Sequence, residues 1–183
     1  MNRDEAMEER EALKRVMRGD IDTYRVIVER YKERAYYTAL GFLGNPEDAL
    51  DISQDAFVRA YKSLKTFNLS RPFFPWFYKI LRNLCFDFLK KRRRIPEVPL
   101  EDVEKRGDGY GVEEIYKRKV LKEKVWEAIS QLSPEEREII LLRFFQDCSY
   151  KEISEILDCP IGTVMSRLYY AKNSLRKRLK GVI

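Results

Sequence analysis

The chain has 183 residues, a net charge of +6 and no histidine. This length allows one or two domains, and a hydrophobic content of 44% supports folded cores rather than wholesale disorder. Without histidine the chain lacks the commonest general base and the usual Ser-His and Cys-His nucleophile pairs, so we do not expect an enzyme.

Apolar residues at helical spacing predict four helices in the first half of the chain, over about residues 5–18, 21–42, 46–64 and 72–94. Gly19-Asp20 ends the first of them, and Gly44-Asn45-Pro46 separates the second from the third. No alternating run bounded by hairpin-turn residues stands out. The sequence therefore predicts an all-α fold.

Acidic residues cluster near the start of the third predicted helix, where Asp48, Asp51 and Asp55 share a face. The residues alone leave three interpretations open. They are a Mg²⁺ site for phosphoryl chemistry, a protein-docking face together with Gln54 and Phe57, or acids that complement the helix dipole. Because no partner cluster of carboxylates stands out elsewhere, we predict no metal site.

The fourth predicted helix carries an apolar stripe on one side and aromatic and basic residues on its other sides. Phe73, Phe77 and Leu81 follow helical spacing and are predicted to be core, with Trp76 half in the core. The other faces carry Phe74, Tyr78, Lys79, Arg82, Asn83, Phe86 and Asp87. Aromatic rings beside cations suit a single-stranded nucleic acid, since bases stack on rings and phosphates bind cations. The alternative is that the aromatic stripe is simply core, although the basic run over residues 90–94 calls for a neutralising partner.

Residues 95–111 have a different composition. They contain Pro96, Pro99, Gly107, Gly109 and Gly111, and their charge is mostly negative. Such a composition predicts a flexible acidic linker. We therefore expect two small helical domains, over residues 1–94 and 112–183.

Helical periodicity resumes near Val112. The tetrapeptide from Ser133 to Glu136 predicts the start of another helix. It provides an N-cap serine, a proline at the first position and a glutamate at the third. Ser149 and Glu152 form a second capping box.

The last two predicted helices form a helix-turn-helix. Asp158 and Pro160 break the chain between them, since Asp tolerates a left-handed backbone and Pro suits the first turn of a helix. In the last helix the inward face is predicted to carry Val164, Leu168, Ala171 and Leu175. The other faces are polar or basic, and no acidic residue follows Ile161. This pattern favours DNA binding over a helical hairpin with a solvated basic end.

The three cysteines, Cys85, Cys148 and Cys159, are too few and too far apart for a zinc site, so we expect small buried or half-buried hydrophobes and no cofactor. The first five residues are highly charged, and the chain lacks a long apolar run. We therefore expect a cytoplasmic protein that does not insert into a membrane.

Taken together, these segments resemble the extracytoplasmic-function (ECF) sigma factors, the two-domain bacterial initiation factors. Residues 44–61 resemble the family's core-binding helix and residues 76–94 its minus-ten promoter helix. Residues 132–137, 149–156 and 162–168 resemble its minus-thirty-five module. The resemblance covers nearly the whole chain. Leu50 and Met165 depart from it, since Glu and a basic residue are frequent at these two positions in the family.

The resemblance implies a role for each segment. Core RNA polymerase would be bound by Asp48, Asp51, Gln54, Asp55, Phe57 and Arg59. The loop over residues 66–72 and the following helix would hold the melted minus-ten strand through Phe74, Trp76, Tyr78, Lys79, Arg82, Asn83, Phe86, Asp87, Lys90 and Arg93. The minus-thirty-five duplex would be read by Thr163, Ser166, Arg167, Tyr170, Lys172 and Arg176. An anti-sigma factor is a further implied partner. The competing hypotheses are a stand-alone helix-turn-helix regulator and a nucleic-acid enzyme that uses the aspartate face.

Overall fold

The computed structural model describes residues 3–92 and 112–180, and the regular secondary structure in these two ranges is helical, as predicted. The first range forms α1 (Arg3–Met17), α2 (Tyr24–Leu43), α3 (Pro46–Ser63) and α4 (Phe73–Arg92), with a 3₁₀ turn at Leu64–Thr66. The second range forms α5 (Val112–Ser130), α6 (Pro134–Ile140), α7 (Tyr150–Leu157) and α8 (Ile161–Arg178), with a π-helical turn at Leu141–Phe145. The predicted linker, residues 95–111, lies outside the described residues, as does Arg93.

The boundary between α2 and α3 follows from local chemistry. Gly44 ends α2 with a left-handed backbone (φ 71°), and its amide donates to the Leu40 carbonyl oxygen. The Asn45 side chain then accepts hydrogen bonds from the amides of Glu47 and Asp48, at 2.8 and 3.0 Å. Pro46 occupies the first turn, where a missing N–H costs nothing.

Both predicted capping boxes form. Ser133 and Glu136 exchange side-chain and main-chain hydrogen bonds at the start of α6, and Ser149 and Glu152 do the same at the start of α7. At the end of α7, Asp158 takes the predicted left-handed conformation, with φ 49° and ψ 52°. The helix-turn-helix therefore begins and turns where the sequence predicts.

An aromatic core joins α2, α3 and α4. Phe57 of α3 stacks on Phe77 of α4 with ring centroids 4.6 Å apart, and Tyr31 of α2 lies 5.4 Å from the ring of Phe73. The Tyr31 hydroxyl also donates to the buried carboxylate of Glu9, which attaches α1 to α2. These four helices form the N-terminal module.

Helices α5 to α8 form the C-terminal module, which packs directly on the N-terminal one. The two modules contribute to one continuous cluster of buried apolar side chains. Within it, α6 and the π-helical turn pack on α2, and α7 packs on α4. Two helical modules were expected from the sequence, but their shared core was not.

None of the helices within residues 3–92 and 112–180 combines the length and the apolar character that crossing a lipid bilayer demands. The three cysteines are free thiols, with Cys85 and Cys148 buried and Cys159 half-buried, as predicted. Burial raises the pKa of the Cys85 thiol to about 12 and that of Cys148 to about 11.

Candidate nucleic-acid interface

The acidic face of α3 is open to solvent. Asp51, Gln54, Asp55 and Arg59 are exposed, and Leu50 among them is 49% exposed. Asp51, Asp55 and Arg59 share a groove of 500 Å³ with Asp87, Lys90 and Lys91 of α4. Acidic side chains of α3 thus face the basic end of α4 across this groove.

Two residues predicted for this face are not fully open to solvent. Phe57 is only 7% exposed because its ring stacks on Phe77 in the core, so its predicted place on a docking face is wrong. Asp48 is half-buried and its carboxylate pairs with the Arg92 guanidinium at 3.3 Å. The other four predicted residues are exposed.

Two aromatic residues that the sequence places on the open faces of α4 are buried instead. Phe74 is 5% exposed; its ring stacks on Tyr31 at 5.7 Å, and the Arg34 guanidinium lies 3.5 Å from its centroid. Tyr78 is fully buried, and its hydroxyl donates to Oε1 of Glu138 at 3.2 Å. This prediction is wrong because helical spacing groups residues on a face but does not reveal that α2 and α6 cover that face.

The remaining predicted residues of α4 keep contact with solvent. Lys79, Asn83, Asp87 and Lys90 are exposed, whereas Trp76, Arg82 and Phe86 are half-buried. Arg82 forms an ion pair with Glu138, and its guanidinium lies 4.5 Å from the centroid of the Phe86 ring. Burial raises the pKa of the Glu138 carboxyl, and the positive charge of Arg82 opposes that rise.

A cavity of 630 Å³ opens between the loop that precedes α4 and the C-terminal end of α7. Its lining includes Arg71, Trp76 and Lys79 from the N-terminal module, and Glu155 and Asp158 from the C-terminal one. Trp76 packs against Phe67 with ring centroids 5.0 Å apart, which leaves part of the indole toward the cavity. A ring beside two cations is suited to an unpaired base with its phosphates.

Sequence reasoning did not single out Asn68 and Arg71 individually, although both lie in the loop predicted to hold the melted strand. The Asn68 side chain accepts bonds from the amide and the hydroxyl of Ser70, at 2.9 and 2.8 Å, which shapes the loop. Arg10 of α1 donates to the Leu69 carbonyl oxygen at 2.9 Å and ties the loop to the module. Asn83, in contrast, is absent from the lining of the cavity.

The last helix, α8, presents a broad exposed face. Its inward residues Val164, Leu168 and Ala171 are buried, as the spacing predicts. On the outward face Ser166, Arg167, Tyr170, Lys172 and Arg176 are exposed, whereas Thr163 is half-buried. An exposed helix face with polar and basic side chains of this kind can enter the major groove.

Exposed apolar residues also lie on that face. Met165 is 54% exposed and Ile161 46%, and Tyr169 packs edge-on against Tyr170 at 5.5 Å. Met165 and Tyr170 were singled out from the sequence, whereas Ile161 and Tyr169 were not predicted to contact DNA. Side chains of this kind can contact the methyl group of thymine.

Two family models match the chain, Sigma-70 region 2 over residues 27–95 and Sigma-70, region 4 over residues 122–175. The ECF RNA polymerase sigma factor SigW of Bacillus subtilis is 34% identical over 180 residues, covering 92% of this chain and 95% of that protein. The RNA polymerase sigma-H factor of Pseudomonas aeruginosa is 29% identical over 185 residues, covering 96% of each. The chain belongs to the ECF sigma factors. A match to region 2 as well as region 4 supports this class over a stand-alone helix-turn-helix regulator.

Two solved structures share the fold. CnrH, solved with the cytosolic domain of CnrY, matches with a TM-score of 0.74 at 21% identity, over 95% of this chain and 98% of that chain. The sigma factor RpoE of Bartonella quintana, in complex with the anti-sigma factor NepR, matches with a TM-score of 0.64 at 27% identity, over 88% of this chain and 97% of that one.

Proposed function

We propose that the chain binds core RNA polymerase and directs it to specific promoters, reading the minus-thirty-five duplex with α8 and holding the melted minus-ten strand beside α4. The observation that carries this proposal is that one chain of this family has an exposed basic recognition helix and also a cavity lined by Trp76, Arg71 and Lys79. Residues 1–94 bind the polymerase and hold the minus-ten strand, residues 112–183 read the minus-thirty-five duplex, and residues 95–111 connect them.

The polymerase-docking surface is the exposed face of α3. Asp51, Gln54, Asp55 and Arg59 project from one solvent-facing side of a helix whose other side is fixed in the core. Charged residues at the edge of an interface affect the rate and the specificity of association more than they affect the affinity. Leu50 adds an apolar contact where a charge is frequent in the family.

The melted strand is held by the cavity beside α4. Opening duplex DNA costs roughly 1.4 kcal/mol per base-pair step, and one base stacked on an aromatic ring returns roughly 1–3 kcal/mol. Trp76 provides such a ring, while Arg71 and Lys79 provide cations for the phosphates. Phe74 and Tyr78 are buried against α2 and α6 and do not line the cavity, whereas Lys90 is exposed near the end of α4.

The upstream duplex is read by α8. Arg167 and Ser166 lie on its exposed face near the N-terminal end, which enters the groove in helix-turn-helix proteins. Lys172 and Arg176, farther along, contact phosphates. Met165 gives this chain an apolar contact of its own, so its preferred upstream sequence differs from that of members with a basic residue there.

The chain acts in the cytoplasm, where its polymerase is, and it catalyses no reaction of its own. An anti-sigma factor is a further proposed partner, because the similar RpoE of Bartonella quintana was crystallised with one.

Run-off transcription with purified core polymerase on a random promoter library tests this function. We expect the chain to select a promoter class, and we expect Asp51→Lys to reduce output by about tenfold, the factor that 1.4 kcal/mol represents. Glu33→Lys is the matched control, since it makes the same charge change at an exposed position of α2 outside the docking face. No complex with core polymerase in a pull-down would refute the proposal.

A further inference from the structure

The loop that precedes α4 is shaped by its own hydrogen bonds. The Arg71 amide donates to the Asn68 carbonyl oxygen at 3.0 Å and closes a tight turn. Inside this turn the Asn68 side chain accepts from both donors of Ser70, an arrangement that asparagine favours in turns. Asn68 and Arg71 both line the cavity proposed for the melted strand. The turn therefore holds two residues of that cavity in a fixed relation to each other.

The two ends of the loop are anchored in the aromatic core. Phe67 is 5% exposed, and its ring packs edge-on against the fully buried ring of Phe73, with centroids 5.7 Å apart. Between these anchors residues 68–72 run along the surface, and Leu69 among them is half-buried. Internal hydrogen bonds give a turn its shape, but they do not fix its position on the module. That position requires a contact with a neighbouring element.

A side chain of α1 provides this contact. Nε of Arg10 donates to the Leu69 carbonyl oxygen at 2.9 Å, across a separation of 59 residues in the sequence. Helix α1 is itself fixed, because Leu13 is buried in the core and the buried carboxylate of Glu9 accepts from the Tyr31 hydroxyl. Arg10 directly follows that glutamate, so it joins the middle of the turn to a fixed point of the module.

The hydrogen bond from Arg10 to Leu69 is exposed, so water can replace it with little loss of folding stability. Water does not, however, hold the Leu69 oxygen at one place relative to α1. Without the donor, the folded chain should persist while the turn shifts relative to Trp76 and Lys79, the α4 residues of the same cavity. A binding site needs its groups within about 0.5 Å of the productive geometry, so such a shift weakens recognition.

We propose that Arg10 is a positioning residue for recognition of the minus-ten strand. By holding the Leu69 carbonyl group, it places Asn68 and Arg71 opposite the aromatic and basic groups of α4, so that a preformed set of contacts selects the base. This inference rests on the proposed function. It extends that function to α1, which ends before residue 27, where the match to region 2 begins. Arg10 acts through the loop rather than by contact with DNA.

Two substitutions of similar length separate the hydrogen bond from the charge. In Arg10→Gln the side-chain nitrogen stands as many bonds from Cα as Nε of arginine does, so the donor to Leu69 is kept. In Arg10→Met the length is kept but no donor remains. Both variants lose one positive charge, and both new residues favour helix. Lys14→Met is the matched control, because it removes a charge from α1 at a residue whose partner is Glu11 of the same helix.

The assay is run-off transcription by core polymerase with each variant, on the promoter that the random library yields and on copies with one base changed. The readout is selectivity, the ratio of the rates on the unchanged and the changed promoter, measured separately for the minus-ten and minus-thirty-five elements. We expect Arg10→Met to lower minus-ten selectivity by at least about threefold, near the lower end of what one hydrogen bond contributes. Minus-thirty-five selectivity should be unchanged, because α8 is not altered.

Arg10→Gln and Lys14→Met should retain the selectivity of the natural chain at both elements. Amide hydrogen exchange gives a second readout, since the Arg71 amide should exchange faster in Arg10→Met than in Arg10→Gln. A general loss of folding would lower selectivity or activity at both elements, whereas a misplaced turn affects the minus-ten element alone.

Three results would overturn the proposal. They are natural minus-ten selectivity in Arg10→Met, an equal loss in Arg10→Gln and Arg10→Met, which assigns the effect to charge, and an equal loss at the minus-thirty-five element. The proposed function fails separately, if the natural chain with core polymerase gives no run-off product from any promoter of the library.

Discussion

Replacing Arg137 with alanine should destabilise the chain by about 2 kcal/mol. The Arg137 guanidinium donates to the carbonyl oxygens of Ile129 at 3.2 Å, Leu132 at 3.3 Å and Phe42 at 3.0 Å, and also to that of Ser130. The Ile129 and Ser130 oxygens belong to the C-terminal end of α5, where carbonyls have no partner within the helix. One side chain therefore completes a helix end and joins it to α2.

The magnitude follows from the surroundings of these oxygens. The bonds to Ile129, Leu132 and Phe42 are partly buried, whereas the bond to Ser130 is exposed and water can replace it. A buried acceptor left unpaired costs about 1–3 kcal/mol, and partial burial favours the lower end. The Ile129 oxygen keeps the Leu132 amide as a donor at 3.1 Å, so only the Leu132 and Phe42 oxygens are left unpaired. Two such acceptors give a total of about 2 kcal/mol.

Urea denaturation followed by tryptophan fluorescence measures this loss. Arg143→Ala is the matched control, because Arg143 donates to one partly buried carbonyl oxygen, that of Cys148 at 3.2 Å, and should cost about 1 kcal/mol. Arg137→Lys keeps the charge without the planar fork and should recover only part of the loss. A loss below about 1 kcal/mol in Arg137→Ala would refute the reasoning.

Three further predictions concern DNA reading, pH and thiol reactivity. Arg167→Ala should weaken upstream recognition by roughly 1–3 kcal/mol if the guanidinium reads a guanine, and unchanged selectivity in promoter competition would exclude it. Burial raises the pKa of Glu138, although the charges of Arg82 and Arg167 and the hydrogen bond from Tyr78 act to lower it. Its contribution to stability is therefore greatest below the ordinary carboxyl pKa of 4.5 and falls as pH rises through the raised value. Glu138→Gln should then gain stability relative to the natural chain between pH values near 4 and 7 in urea melts, and a pH-independent difference would contradict this. With burial raising the pKa of Cys85 to about 12 and that of Cys148 to about 11, a thiol reagent at neutral pH should modify Cys159 first; early modification of Cys85 would count against this packing.

The sequence by itself determined the helices and the helix-turn-helix, because their signals are local. Ser133 and Ser149 with their glutamates fix two helix starts, Asp158 accepts the left-handed turn, and the spacing of Val164 and Leu168 selects the buried face of α8. Each of these effects acts over a few residues, so it can be read along the chain without knowing what packs nearby.

Only the tertiary structure decided which faces are covered. The spacing of Phe74 and Tyr78 separates them from the main stripe of α4, yet Arg34 and Glu138, brought in by α2 and α6, bury them. A long-range contact of this kind depends on how whole helices dock, and docking here depends on a glycine, Gly41, that lies under Leu141 and carries no apolar signal of its own. Which surfaces of this chain are available to DNA is therefore a property of the assembled modules, since burial is decided by partners that are distant in sequence.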